Sequence, residues 1–160
     1  HGLAAITLDG VARAAGISKG GLLHHHPTRQ ALIEALFTDI LARLETAITM
    51  LVERDPDPRG RFSRAYVTAV TGPADGPFES KLLGACSLAM SAEPGLAVQW
   101  AMWMARCLAR HSEEETSVTG RIVRYAADGI WLENSTGAGV VDADQRAEVV
   151  ARLLELTKTI

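Results

Sequence analysis

Apolar residues recur at helical spacing along nearly the whole chain and almost nowhere alternate as a strand requires. Leu32, Ile33, Leu36, Ile40, Leu44, Ile48 and Leu51 form the longest such series. The punctuation is equally regular. Thr7, Ser18 and Thr28 each stand where a helix N-cap belongs, and Asp142 stands before the last apolar series. Gly16 fits the position after a short helix, Pro27 stops the next one, and Asp55-Pro56-Asp57-Pro58-Arg59-Gly60 breaks the long one. The pattern predicts an all-α chain with two very short helices first and longer ones after. Those longer helices are expected over about 62–70, 79–92, 96–111, 118–134 and 142–160.

Composition narrows the class. At 160 residues, 48% hydrophobic and 22% charged, the chain has the makings of one soluble domain or one domain with a small appendage. No run of 18 apolar residues suggests a membrane span, and no signal peptide is visible. Two cysteines, Cys86 and Cys107, are too few for a disulfide scaffold, so a reducing cytoplasm is the expected compartment. The net charge is −3, but it is unevenly spread: Arg13, Lys19 and Arg29 face only Asp9 in the first 29 residues. No glycine-rich phosphate loop, zinc signature or nucleophile elbow points to an enzyme, and no cofactor is implied. His24, His25 and His26 are consecutive and fan out by about 100° each on a helix, so they do not chelate a metal together.

Gly16-Ile17-Ser18 joins the two short helices into a helix-turn-helix, with Ile17 expected to pack inward. Ser18 caps the second helix and leaves the amides of Lys19, Gly20 and Gly21 near its start, where a phosphate fits. Such a second helix enters a DNA major groove with its N-terminal residues leading. The run from Thr7 to Leu32 carries Ala15-Gly16-Ile17-Ser18-Lys19-Gly20 at its centre and Pro27-Thr28-Arg29 after its histidines. It resembles the DNA-binding signature of TetR-family transcriptional regulators, and His1-Gly2 resembles the end of that family's first helix, most of which is then missing.

The resemblance implies a helix-turn-helix head over residues 1–45 and a helical effector-binding and dimerisation body over 46–160. It implies a ligand-responsive regulator, usually a repressor, that binds a palindromic operator as a homodimer and releases it on binding a small molecule. It assigns Thr7, Ser18, Lys19, Gly20, Gly21, Leu23, His24, His25, Thr28 and Arg29 to the DNA face. Thr7, Thr28 and Arg29 would touch phosphates, Lys19 a base edge or phosphate, and Leu23 a thymine methyl. In the family's usual pocket region stand Phe62, Tyr66, Leu83, Cys86, Met90, Trp100, Met104, Cys107 and Trp131, which suit a lipophilic or aromatic effector.

The last two helices have more apolar surface than one small body hides, which predicts a twofold four-helix interface. Val118, Ile122, Tyr125, Gly129, Leu132, Val150, Leu153 and Leu154 are its candidates, and Gly129 implies close helix approach. Arg121, Arg124 and Asp128 are expected as a polar strip, with Arg124 and Asp128 paired. Ala127-Asp128-Gly129-Ile130-Trp131-Leu132 resembles a segment common in C-terminal domains of the same family. On the helix over 96–111, Gln99, Arg106 and Arg110 share a stripe, and Trp103 and Met102 land beside it. An indole there needs cover from another subunit, a cavity rim or its own neighbouring helix. Two other readings remain open: a thiol-based redox regulator using Cys86 and Cys107, and a helical interaction module that binds no DNA.

Overall fold

A computed structural model describes residues 7–72, 89–111, 113–136 and 142–160. Among the described residues no strand occurs, residues 89–90 are helical, and seven further α-helices can be given bounds. They are α1 (Leu8–Ala14), α2 (Lys19–His25), α3 (Arg29–Arg54), α4 (Arg61–Thr71), α5 (Pro94–Ala109), α6 (Val118–Thr136) and α7 (Ala143–Thr157). A 3-10 turn, Glu113–Thr116, precedes α6. Residues 1–6, Leu83, Cys86 and most of the helix expected over 79–92 lie outside the described residues. The four predicted caps form: Thr7, Ser18, Thr28 and Asp142 each accept a backbone N–H from the first turn of their helix.

Helix α4 is the centre of the body and packs against α3, α6 and α7. Phe62, Tyr66, Val67 and Val70 on it are fully buried. Around them close Ile40, Leu44 and Ile48 of α3, Leu96, Trp103 and Cys107 of α5, and Val123, Ala127 and Trp131 of α6. Each large side chain so buried contributes roughly 1.5–3 kcal/mol. The long α3 links this core to the head and runs unbroken through residue 45.

The start of α4 depends on distant segments. Gly60 has φ +61°, and a Cβ there would lie 2.0 Å from the carbonyl oxygen of Thr157, so both conformation and space demand glycine. Gly60 brings no capping side chain. The carboxylate of Glu115 takes that place, accepting the amides of Phe62 at 2.8 Å and Ser63 at 3.2 Å and the Ser63 hydroxyl at 2.6 Å. A carboxylate at a helix N-terminus also gains from the helix dipole. Arg124 closes the group, donating to Ser63 Oγ at 3.0 Å and to the Glu115 carbonyl at 2.8 Å.

Two sequence expectations change here, and one left open is resolved. Arg124 is 5% exposed and Asp128 accepts from Tyr66 Oη and Trp131 Nε1, so these two face α4 instead of forming a solvent strip with Arg121. Trp103 is 1% exposed and donates to Glu45 of α3 at 3.0 Å, so its cover is a helix of its own chain. Ile17 is half exposed, because Ala12 and Leu22 fill the seam between α1 and α2 instead.

Candidate nucleic-acid interface

Helix α1 ends in a Schellman turn: Ile17 N–H reaches the Ala12 carbonyl at 3.0 Å, and Gly16 N–H reaches that of Arg13 at 3.2 Å. Gly16, at φ +67°, supplies the left-handed residue this turn needs. Ser18 then starts α2 by accepting Gly21 N–H at 3.0 Å. The corner is fixed mainly by backbone hydrogen bonds and caps, so most of its outer face is left exposed. That face holds Lys19, Gly20, Gly21, His24 and His25, all exposed. A Cβ at Gly20 would meet nothing within 4 Å. Leu22 is the buried residue of α2, and Leu23 is half-buried beside it. The His24 and His25 rings meet edge-on, with centroids 5.2 Å apart.

Thr7 and Thr28 use their hydroxyls as caps, accepting Gly10 N–H and Ala31 N–H. Each of the two main cations has an acidic neighbour. Lys19 Nζ lies 3.1 Å from the Asp9 carboxylate, and Arg29 Nη1 lies 3.5 Å from Glu93 Oε1. Glu93 immediately precedes α5, so the second pair joins the head to the body.

Helices α3 and α5 run side by side in the same direction away from that pair. Glu34 reaches Gly95, and farther along Glu45 receives both Trp103 Nε1 and Arg110 Nη2, the latter at 2.6 Å. The stripe of Gln99, Trp103, Arg106 and Arg110 therefore faces α3. At its far end is a cleft of about 210 Å³. Glu45, Ile48, Thr49 and Val52 of α3 line it with Phe62 of α4 and Cys107, Arg110 and His111.

Of the nine pocket candidates, Phe62 and Cys107 line this cleft. Tyr66 and Trp131 instead meet at Asp128, and Met90, Trp100 and Met104 are half-buried against the core. Burial pushes the Cys107 thiol up and holds the His111 imidazole below its ordinary value. Burial likewise raises the Asp128 carboxyl, against the hydrogen bonds from Tyr66 and Trp131, and the Tyr66 phenol rises well above its usual value for the same reason. Ile48, Val52, Arg110 and His111 were not among the pocket candidates, although the stripe placed Arg110 and the apolar series placed Ile48.

The candidate interface residues divide. Val118, Ile122, Tyr125, Gly129 and Leu132 form one exposed stripe along α6. Tyr125 is 66% exposed, unusual for an aromatic side chain without cover. Val150 and Leu154 of α7 are half-buried, whereas Leu153 is 5% exposed and belongs to the core of the single chain. Among the described residues no side chain comes within 4 Å of a Cβ placed at Gly129, so the close approach expected there is not seen in the single chain.

No helix among the described residues is long and apolar enough to cross a membrane. No curated protein and no solved structure matches the chain significantly. Two family profiles do match. Residues 1–36 fit the bacterial regulatory proteins of the tetR family, and residues 60–158 fit the tetracyclin repressor-like C-terminal domain. With the helix-turn-helix and most of the helical body both accounted for, the chain belongs to the TetR family of transcriptional regulators.

Proposed function

We propose that the protein is a ligand-responsive repressor that binds a palindromic operator as a homodimer and lets go when a small apolar or aromatic effector binds. The observation that carries this reading is the corner of α1 and α2. Its shape is set by caps and backbone bonds, while the outer face of α2 stays exposed with Lys19 at its start. A pair of such corners reads successive major grooves when they stand about 34–36 Å apart. The apolar stripe from Val118 to Leu132 supports a twofold mate, since a chain this small gains by covering it.

The cleft at Phe62 and Cys107 supports an effector that touches α3, the helix leading directly to Arg29. A redox reading is less well supported, because a buried thiol with a raised pKa is a poor thiolate. The test is the double variant Lys19→Ala with Arg29→Ala. It is expected to abolish binding to an operator fragment while light scattering still reports the dimer. Loss of the dimer, with the fold intact, would show that the head is not a separate reader. The parent protein is expected to lose affinity steeply with salt, at a log–log slope of about −0.9 per neutralised phosphate.

A further inference from the structure

The cleft between α3, α4 and the end of α5 has a sign as well as a shape. Its floor is apolar, made by Ile48, Val52 and Phe62. The His111 ring stacks on Phe62, with centroids 4.9 Å apart. Its rim holds one acid and one base, Glu45 and Arg110, bonded to each other. Their remaining capacities differ. Both Glu45 oxygens already accept, one from Trp103 and one from Arg110. Arg110 uses Nη2 on Glu45 and Cys107, and Nε on the Arg106 carbonyl, leaving Nη1 with no acceptor among the described residues. The His111 ring likewise has no hydrogen-bond acceptor among the described residues. The unused cationic donor of the rim is therefore the Arg110 Nη1 edge, whereas the one carboxylate, Glu45, is already charge-paired. A cation entering it would compete with two donors for Glu45, whereas an anion meets a guanidinium edge that suits a carboxylate.

We infer that this cleft takes a small aryl monocarboxylic acid, ring over the apolar floor beside Val52, carboxylate on Arg110. At about 210 Å³ it lies below the roughly 300–1,000 Å³ of sites for drug-sized ligands, so a single ring suits it. The inference rests on the effector reading above and names the effector's chemistry. It also supplies a route to the head. The incoming carboxylate competes with Glu45 for Arg110, which loosens the tie between α5 and α3. The same two helices meet again at Glu93 and Arg29, beside the recognition corner.

The test is calorimetric titration of the whole chain with sodium benzoate, benzyl alcohol and benzylamine. Benzoate is expected to bind at least ten-fold more tightly than either of the others. Arg110→Gln is expected to weaken benzoate at least ten-fold. Glu45→Gln, which removes the competing carboxylate, is expected to tighten benzoate several-fold, a gain that damage to the fold does not produce. Benzylamine binding as tightly as benzoate, Arg110→Gln binding benzoate like the parent, or no heat from benzoate would each overturn the proposal. These titrations contain no DNA. Their failure would leave operator binding standing, and failure of operator binding would leave them unchanged.

Discussion

The carboxylate of Glu115 accepts the backbone N–H of Phe62 at 2.8 Å, across 53 residues of sequence. It does for α4 what a local Ser or Asp does for the other capped helices. Because Glu115 is 1% exposed and Arg124 5%, the pair is shut from water with Ser63 between them. Glu115→Ala leaves a buried guanidinium facing a bare carbonyl and two amides without acceptors. A loss of about 3–5 kcal/mol in urea unfolding is expected, as for other buried pairs broken on one side. A loss below 1 kcal/mol would mean the network is incidental.

Two glycines should respond oppositely to the same change. Gly60→Ala forces a Cβ into the Thr157 carbonyl and a side chain into left-handed backbone. The backbone term alone costs about 1–2 kcal/mol, so thermal unfolding should fall by several degrees. Gly129→Ala meets nothing within 4 Å on an exposed helix face. At protomer concentrations too low for association it is expected to gain up to about 1 kcal/mol from helix propensity.

The acids beside Lys19 and Arg29 are expected to weaken DNA binding by the proposed recognition corner. Asp9→Asn and Glu93→Gln each remove one carboxylate that competes with operator phosphates for a cation. Exposed pairs of this kind are worth about 0.2–1 kcal/mol, so each change should tighten operator binding about 1.5- to 5-fold at fixed salt. Weaker binding in both variants, by fluorescence anisotropy, would place these acids among the contacts that hold the head in shape.

Acid stability should carry two opposed contributions. The Arg64 hydrogen bond holds the Asp55 carboxyl below its ordinary value, so its contribution is present above the unfolded pKa of about 3.9 and is lost as pH falls through the folded value. Burial raises the Asp128 carboxyl, so its contribution is present below about 3.9 and is lost as pH rises through the folded value. Asp55→Asn is expected to flatten the acid limb of stability against pH. Asp128→Asn is expected to steepen it, because the opposing contribution disappears. Urea midpoints between pH 3 and 6 would read both, and parallel curves for parent and variants would contradict the assignment.

What was legible in the sequence was mostly local. Thr7, Ser18, Thr28 and Asp142 were readable as caps because a cap and its amides lie within three residues of each other. Gly16 was readable for the same reason. Facing was harder. The spacing of Gln99, Trp103, Arg106 and Arg110 correctly puts them on one stripe, but a helical wheel gives an angle and not the neighbour at that angle. Polar residues suggested solvent, and the neighbour is α3 with Glu45. Arg124 and Asp128 misled in the same way, since their partners Ser63 and Tyr66 lie about sixty residues earlier. Around the corner of α1 and α2 the caps were legible, whereas the pairing of Arg29 was not, because Glu93 comes from another helix start.

A helix closed from outside has a history as well as a structure. The first turn of α4 has no local side-chain acceptor for the amides of Phe62 and Ser63, so it is expected to fray in a chain that has not yet looped back to deliver Glu115. The centre of the body is thus completed by a segment made some fifty residues later. A fragment ending before that segment should hold its recognition corner, which closes on itself, and lack a settled middle.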